Sequence, residues 1–230
     1  MMRYIILLLC CLFVITCERN LTGPSPFSPS PLNVVDEIQL DHSLHKIVFV
    51  DAANGWALTD SSGVYHTENG GKSWTLRPIG TVTRLMDMSF VNSTCGWICG
   101  FDMTLCRTRD GGQTWEEQFI GQPTDSVFQH IEFIDEQHGW LITAWGSVYR
   151  TVDGGSSWQL TSDDHRPGIN YFRMWGARGV MAQALGPILR TSNSGESWHV
   201  LETPMEYNST AYFVDPERGW SFSGTNLPYS

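Results

Sequence analysis

The chain has 230 residues, of which 12% are aromatic and only 17% charged, and its formal net charge is −10 at pH 7. A chain this rich in Trp and this poor in charge is unlike a disordered protein. Only two of its fourteen basic residues are lysines, Lys46 and Lys72. A nucleic-acid binder needs a cationic face, so the composition excludes nucleic acid as a partner. The length allows one sizeable domain with its own core.

The N-terminus starts with a short basic head and continues as an uncharged apolar run over residues 4–16. As a helix this run reaches about 20 Å, less than the ~30 Å of a bilayer core. Residues 1–17 are therefore predicted to be a secretory signal. Its last four residues, "VITC", resemble a bacterial lipobox, which implies lipidation of Cys17 and a membrane anchor. Thr16 departs from the usual small residue, so an ordinary cleaved signal or an uncleaved anchor are the alternatives.

Residues 18–32 are rich in Pro and Ser, above all in "TGPSPFSPSP" at 22–31. Such a composition is typical of a semi-extended linker. It is predicted to tether a folded domain, residues 33–230, to a membrane surface. The expected location is the bacterial cell envelope, at the periplasm or the outer membrane.

An eight-residue phrase occurs four times, as "TENGGKSW", "TRDGGQTW", "TVDGGSSW" and "TSNSGESW", starting at residues 67, 108, 151 and 191. A second phrase keeps step with it, as "FVDAANGW", "FVNSTCGW", "FIDEQHGW" and "FVDPERGW". A period of about 40 residues indicates a repeat architecture. The repeats are placed near 44–80, 85–121, 128–162, 169–203 and 210–230.

Each repeat contains four short runs rich in β-branched and aromatic residues, separated by Gly, Asn, Asp or Ser. The sequence therefore predicts an all-β propeller of four-stranded blades, with four complete repeats and a partial fifth. Residues 33–40 are predicted to add an outer strand to the fifth blade. Whether that blade is naturally irregular or cut short stays open at this point.

The first phrase is interpreted as a structural turn. Its third position is Asn in two copies and Asp in the other two, so the acceptor oxygen is kept while the charge is dispensable. A catalytic acid or metal ligand would not tolerate that exchange. The residues assigned to this turn, in which Asx accepts backbone N–H groups and Gly allows positive φ, are Thr67, Asn69, Gly71, Trp74, Thr108, Asp110, Gly112, Trp115, Thr151, Asp153, Gly155, Trp158, Thr191, Asn193, Gly195 and Trp198.

The second phrase is interpreted in the same way. Its Asx and Gly positions are both predicted to be turn residues, and they are Asp51, Asn92, Asp135, Asp215, Gly55, Gly96, Gly139 and Gly219. Together the two phrases resemble the Asp-box, or bacterial neuraminidase repeat, and in particular the photosystem II assembly and stability factor family, over about residues 44–224. The resemblance implies a propeller that serves as a non-enzymatic, protein-binding or assembly scaffold without a cofactor.

The first strand of each repeat carries polar residues that are predicted to line a central channel. Aligned through the Gly-Trp pairs, these positions are Lys46, Asp87, His130, Asn170 and Thr210, followed two residues later by Val48, Ser89, Glu132, Phe172 and Tyr212. Lys46, Asp87, His130 and Glu132 are the candidate binding residues. The alternative is that these side chains merely solvate a water-filled channel.

A carbohydrate-active propeller is the competing functional class, so a glycan is the alternative partner. The chain lacks the Phe/Tyr-Arg-Ile-Pro phrase that is typical of sialidases. Asp87 and Glu132 would be the pair of carboxylates in a glycosidase. We nevertheless predict no enzymatic activity and assign no catalytic residue.

Three cysteines lie in the second repeat. A hairpin around Asp102-Met103 is predicted to place Cys99 opposite Cys106, and a cross-strand disulfide is expected in an exported chain. Cys95 would then be unpaired. The three thiols lack a convincing fourth ligand for zinc, so no metal site is predicted.

Overall fold

The computed structural model describes residues 38, 40–59, 63–80, 83–120, 127–163, 168–183, 186–201 and 210–222. Within these ranges all regular structure is β-strand, and no helix there has the length and apolarity needed to cross a membrane. The described residues from Leu44 onward form one compact unit. The predicted signal, Cys17, the tether and most of the expected outer strand at 33–40 lie outside the described residues.

The strands form five antiparallel sheets, in which neighbours in sequence are neighbours in space. The first sheet contains β1 (Leu44–Phe49), β2 (Gly55–Thr59), β3 (Gly63–Thr67) and β4 (Thr75–Pro78). The second contains β5 (Leu85–Phe90), β6 (Gly96–Gly100), β7 (Leu105–Thr108) and β8 (Glu116–Glu117). The third contains β9 (Phe128–Phe133), β10 (Gly139–Thr143), β11 (Ser147–Thr151) and β12 (Gln159–Asp163). The fourth contains β13 (Ile169–Trp175), β14 (Arg178–Gln183), β15 (Ile188–Thr191) and β16 (His199–Leu201), and the fifth contains β17 (Thr210–Phe213) and β18 (Gly219–Phe222).

Each sheet is one blade, and successive blades pack face to face in chain order. The first strands follow one another, β5 packing against β1, β9 against β5, β13 against β9 and β17 against β13. Apolar clusters fill the spaces between consecutive blades. The predicted all-β propeller of four-stranded blades is confirmed, with four such blades and one two-stranded sheet among the described residues.

The eight-residue phrase forms one turn, with the same hydrogen bonds in every copy. In the first blade, Asn69 Oδ1 accepts the Thr67 hydroxyl at 2.9 Å and the Ser73 backbone N–H at 3.0 Å. Thr67 Oγ1 accepts the N–H of Gly71, whose φ of 88° falls in the left-handed region that favours glycine. Because Asn and Asp offer the same acceptor oxygen, either residue closes this turn.

The second phrase makes a turn only through its Asx residue. Asp51 Oδ1 accepts the backbone N–H groups of Ala53 and Asn54, each at 2.7 Å. The Gly of this phrase is not a turn residue, contrary to the sequence interpretation. Gly55 is the first residue of β2 and pairs with Phe49, and a Cβ added to it would lie 2.6 Å from the Phe49 ring. Gly96, Gly139 and Gly219 likewise lie against the Phe of their own blade, so glycine is required by packing.

The Trp after that Gly joins each of the first three blades to the next. Trp97 stacks on Phe133 of the third blade, with ring centroids 3.5 Å apart and an interplanar angle of 2°. Its indole N–H donates to the Gly154 carbonyl at 3.1 Å, in the turn of that same blade. Trp56 repeats both contacts with Phe90 and Gly111. The Trp of the eight-residue phrase also contacts the space between blades, since Trp115, Trp158 and Trp198 are partly buried against the interblade clusters.

An arginine reinforces these junctions. Arg107 lies over the Trp97 ring and donates to the same Gly154 carbonyl at 3.0 Å. The first blade has His66 at the corresponding position, with its ring centroid 4.8 Å from that of Trp56 and the two rings tilted by 33°. There Arg77, on β4, makes the bond to the carbonyl of the next blade instead. The first two junctions therefore share an arginine bond to the turn carbonyl, although the arginine stands on the third strand in one blade and on the fourth in the other, while at the third junction Arg150 bonds Glu196 instead.

The cysteine prediction is wrong in its register. Asp102 and Met103 form the turn at positive φ, but the Phe101 N–H bonds to Arg84 and leaves the ladder. The loop thus has three residues, and Cys99 pairs with Leu105 while Cys106 pairs with Ile98. Because a shift of one residue reverses the face to which a side chain points, the two thiols lie in different interblade clusters. Cys95, Cys99 and Cys106 are all free and buried.

Candidate functional site

A central cleft of about 760 Å³ lies where the first strands of four blades converge. Its lining comes from β1, β5, β9 and β13, and includes the four candidate binding residues Lys46, Asp87, His130 and Glu132. Sequence alternation on the first strands therefore placed the right side chains at this cleft in the first three blades. Their assignment to the binding of a ligand stays a prediction.

The alignment of the fourth blade was off by one residue. Met174 pairs with Gly179, five residues later, whereas Phe133 pairs with Gly139, six residues later. The turn is one residue shorter, so the side chains that alternate toward the cleft change. Tyr171 and Arg173 take the positions that had been assigned to Asn170 and Phe172. Phe172 instead packs into the cluster between the third and fourth blades, next to Trp198.

Asp87 lies at the centre of a charged group that links three blades. Lys46 donates to its Oδ1 from the first blade, and His130 Nδ1 lies 3.5 Å from its Oδ2 in the third. Burial alone would raise the pKa of Asp87, but the Lys46 ammonium and the His130 imidazole outweigh it and lower the pKa. His130 Nε2 lies 2.7 Å from the Ile169 carbonyl, which extends the group to the fourth blade. Asp87 is therefore a buried carboxylate that stays ionised.

Glu132 has the opposite electrostatic character. Burial raises its pKa to about 7, although the Arg173 guanidinium and the Met174 N–H act against this rise. Arg173 Nε is 3.3 Å from Oε1, and the Met174 N–H donates to Oε2 at 3.1 Å. The carboxyl group of Glu132 consequently changes its charge near neutral pH, while that of Asp87 does not.

Several cleft residues share a structural task that the sequence did not reveal. Each accepts a backbone N–H from the first strand of the following blade, and that strand is the inner edge of its sheet. Asp87 accepts from Ile131 at 3.1 Å, and Ser89 from Phe133 at 3.0 Å. Glu132 accepts from Met174 in the same way, and the Tyr171 hydroxyl pairs with both backbone groups of Phe213. Since unpaired edge amides invite other strands, these side chains complete the hydrogen bonding of the inner edge.

The side chains that stay exposed around the cleft are fewer. Arg173 is more than half exposed, and so is Tyr212 on β17, which pairs with Trp220 as Ser89 pairs with Trp97 and lies beyond the residues that line the cleft. Lys46 is about one third exposed. These three offer two cationic groups and an aromatic ring to a ligand. Asp87 and Glu132 are engaged by other residues, and the described ranges hold no group of His, Cys, Asp or Glu suited to a metal ion.

Comparison with known proteins places the chain among photosystem assembly propellers. The family model "Photosynthesis system II assembly factor YCF48" matches residues 78–202, more than half of the chain. No curated protein matches its sequence. A solved structure of YCF48 bound to D1 peptide is 22% identical, with a TM-score of 0.53, and the alignment covers 80% of this chain and 76% of that one.

Two further structures show the same fold. YCF48 from Cyanidioschyzon merolae is 18% identical with a TM-score of 0.63, over 78% of this chain and 63% of that one. The GH74 xyloglucanase of Xanthomonas campestris is 12% identical with a TM-score of 0.57, over 74% of this chain and 32% of that one. The chain thus spans less than two thirds of the algal protein and about a third of the enzyme. At these identities the likeness establishes the fold alone.

Proposed function

This chain belongs to the photosystem II assembly factor YCF48 family, and from that membership we propose that it is a non-enzymatic scaffold that binds a segment of a partner protein. The observation that carries the proposal is the family match, together with the structure of a YCF48 protein bound to D1 peptide. A polypeptide is accordingly the class of ligand we assign. The fold itself does not decide the function, because one scaffold serves many sites.

The central cleft is the proposed binding site. Its exposed cationic groups, Lys46 and Arg173, can donate hydrogen bonds to peptide carbonyls or carboxylates, and the exposed Tyr212 ring of the next blade can stack against side chains. Aromatic residues and arginines are also the residue types that dominate binding energy at protein interfaces. The buried Asp87 and the half-buried His130 hold the blades in place around this surface.

Peptide binding is tested with the full chain in detergent and an array of overlapping peptides from membrane proteins of the encoding organism. Arg173→Ala and Tyr212→Ala are each expected to lower the affinity for the bound peptides about tenfold or more. Val200→Ala, which changes an exposed residue of the outer strand β16, is the matched control and is expected to bind normally. If no peptide binds, the proposed function is wrong. If peptides bind and neither cleft variant weakens them, the site is misplaced.

We also propose that the chain is exported and held at the cell envelope by a lipid on Cys17. The support is the lipobox-like "VITC" followed by the Pro/Ser-rich stretch. Intact mass spectrometry of the membrane-extracted protein should show a chain that begins at Cys17 and carries acyl groups. Cys17→Ala should release the protein from the membrane fraction, and an unchanged distribution would contradict the anchor.

A carbohydrate-active propeller is the second candidate, favoured by the xyloglucanase among the structural neighbours. It predicts release of reducing ends from xyloglucan, or of free sugar from sialosides, and loss of that activity in Asp87→Asn and Glu132→Gln. The scaffold proposal expects no product. Glycan-array binding that depends on Tyr212 without turnover would favour a lectin-like role over both.

A further inference from the structure

Among the described residues, the first and the fifth blade each present half of the contact that joins neighbouring blades. At the first two junctions a Trp from one blade stacks on the first-strand Phe of the next and donates to a carbonyl in its turn. Trp140 keeps the donated bond, to the Ser194 carbonyl at 2.8 Å, and packs beside Met174. The buried Trp of all three junctions has an exposed fraction of 1% or less.

The fifth blade carries the Trp half of this contact, and no described residue covers it. Trp220 follows Gly219 on β18 and corresponds to Trp56 and Trp97, yet it is 58% exposed. Val214 is exposed beside it. This outward surface, defined by Val214 and Trp220, is called the tail face.

The first blade carries the other half. Phe49 corresponds to Phe90 and Phe133, which are 7% and 5% exposed, but its own exposed fraction is 37%. Ile47 is exposed as well, whereas its counterparts Met88 and Ile131 are buried. The Gly70 carbonyl occupies the turn position of Gly111 and Gly154, which receive the indole N–H groups. This surface, defined by Ile47, Phe49 and Gly70, is called the head face.

The Trp of the tail face is not a residue that every blade carries. At the junction between the fourth and fifth blades, Val180 stands in the Trp position, and Tyr171 and Trp175 fill the space instead. A Trp is therefore not obligatory at every repeat. The fifth blade again has a Trp at this position, Trp220. The head face holds the two groups that such a Trp contacts at the first two junctions, a Phe ring and a turn carbonyl, so the two faces are complementary.

We propose that the tail face of one chain docks on the head face of a second copy. Trp220 would stack on the partner's Phe49 and donate its indole N–H to the partner's Gly70 carbonyl. The contact continues the series of junctions already present between the blades. Since the two faces differ, the association is head to tail and either closes into a ring or grows. It buries exposed aromatic surface of a kind that marks interaction sites.

The test uses the full chain in detergent and light scattering behind size-exclusion chromatography, over roughly a hundredfold range of concentration. The parent protein should increase in mass with concentration. Trp220→Glu removes the tail face and Ile47→Glu removes the head face, so each should stay monomeric. Val200→Glu, an equally exposed apolar position outside both faces, is the control and should associate like the parent.

The decisive sample is the equimolar mixture of the two variants. Trp220→Glu retains a head face and Ile47→Glu retains a tail face, so together they should form a dimer that grows no further. A monomeric mixture, or a parent that is monomeric throughout, overturns the proposal. Circular dichroism and a cooperative melt verify that each variant is folded.

Trp220→Phe provides a second measure that needs no disruptive charge. It keeps the stacking and removes the N–H, so the affinity of the association should fall about fivefold and should not be lost completely. Equal affinity of Trp220→Phe, Trp220→Glu and the parent would also overturn the proposal. Peptide binding is measured separately, so failure of association leaves the proposed function standing.

Discussion

The Asp87 carboxylate accepts the backbone N–H of Ile131, 3.1 Å away in the next blade, while the Lys46 ammonium and the His130 imidazole contact the same carboxylate. A residue that faces the central cleft is thus part of the bonding between sheets. Removing one partner of a buried ion pair costs more than the pair itself contributes, because the remaining groups lose their compensation.

Asp87→Ala is therefore expected to lower the free energy of unfolding by about 3 kcal/mol. Asp87→Asn should cost roughly half as much, because its amide oxygen can still accept the Ile131 N–H. Urea denaturation at pH 7 measures both. Glu116→Gln, which alters an exposed pair with Arg109, is the control and should change the stability by less than about 1 kcal/mol. Equal stability of all three variants would contradict this account of Asp87.

Glu132 should make stability depend on pH near neutrality. Its pKa is about 7 in the folded protein against 4.5 for an ordinary Glu, so between these values the folded state holds a proton that the unfolded chain has released. The contribution of Glu132 to stability is fully present below pH 4.5 and is lost as the pH rises through 7.

The comparison of Glu132→Gln with the parent isolates this contribution. The variant should lack a decline of up to about 3 kcal/mol between those pH values. Thermal melts in a series of buffers provide the measurement. Parallel pH profiles for the two proteins would show that Glu132 titrates normally.

Trp97 should show separable contributions from stacking and hydrogen bonding. Trp97→Phe keeps an aromatic ring against Phe133 and loses the bond to the Gly154 carbonyl, at a cost of about 1 kcal/mol. Trp97→Ala also empties the space between two blades and should cost about 3–5 kcal/mol. Calorimetry distinguishes the two, and equal losses would mean that the stacking adds nothing.

Asp110 should be replaceable by Asn but not by Ala. Its side-chain and backbone hydrogen bonds in the turn overcome its slight burial and hold its pKa at about 2. In its own blade, Asn69 accepts hydrogen bonds from the Thr hydroxyl and the backbone N–H that correspond to those bound by Asp110. Asp110→Asn is thus expected to change stability by less than about 0.5 kcal/mol at pH 7, while Asp110→Ala should cost about 1–2 kcal/mol. The reciprocal change Asn69→Asp is the matched control, and its tolerance in chemical denaturation should mirror that of Asp110→Asn.

The thiols of Cys99 and Cys106 should be unreactive in the folded protein. Burial raises the pKa of Cys106 to about 11, with Glu117 adding to the rise, and burial raises the pKa of Cys99 as well. Peptide mapping after alkylation should find both residues unlabelled under native conditions and labelled in denaturant. A bridged peptide that joins them would contradict the observed register.

The architecture could be predicted from the sequence because each blade corresponds to one sequence repeat. Four copies of the eight-residue phrase, with Asn69 and Asp110 interchangeable, identified a structural turn whose bonds the structure now displays. Alternation on the first strands placed Asp87 and Glu132 at the cleft. Both inferences depend on local rules that act within one strand or one turn.

The errors arose where a local rule gives no information on register or packing. Cys99 and Cys106 were paired from an assumed two-residue loop, whereas Phe101 leaves the ladder and shifts the pairing by one. Gly55 was interpreted as a turn residue because it ends the second phrase. The contact that requires glycine there is made by the Phe49 ring across the hairpin, which a local turn rule does not reveal. The stacking of Trp97 on Phe133 joins residues of different repeats, and no single repeat contains that information.

The short turn of the fourth blade shows how such a fold can change its chemistry at little structural cost. The turn from Met174 to Gly179 is one residue shorter than its counterpart in the third blade and the blade is intact, yet the register positions that face the cleft pass to Tyr171 and Arg173, while Asn170 and Phe172 still border it. Removal of one residue from a hairpin turn can thus change which side chains face a binding surface without any substitution. Repeat proteins of this kind can diversify their specificity by indels in turns, and comparisons that align such blades without gaps will assign the wrong residues to the site.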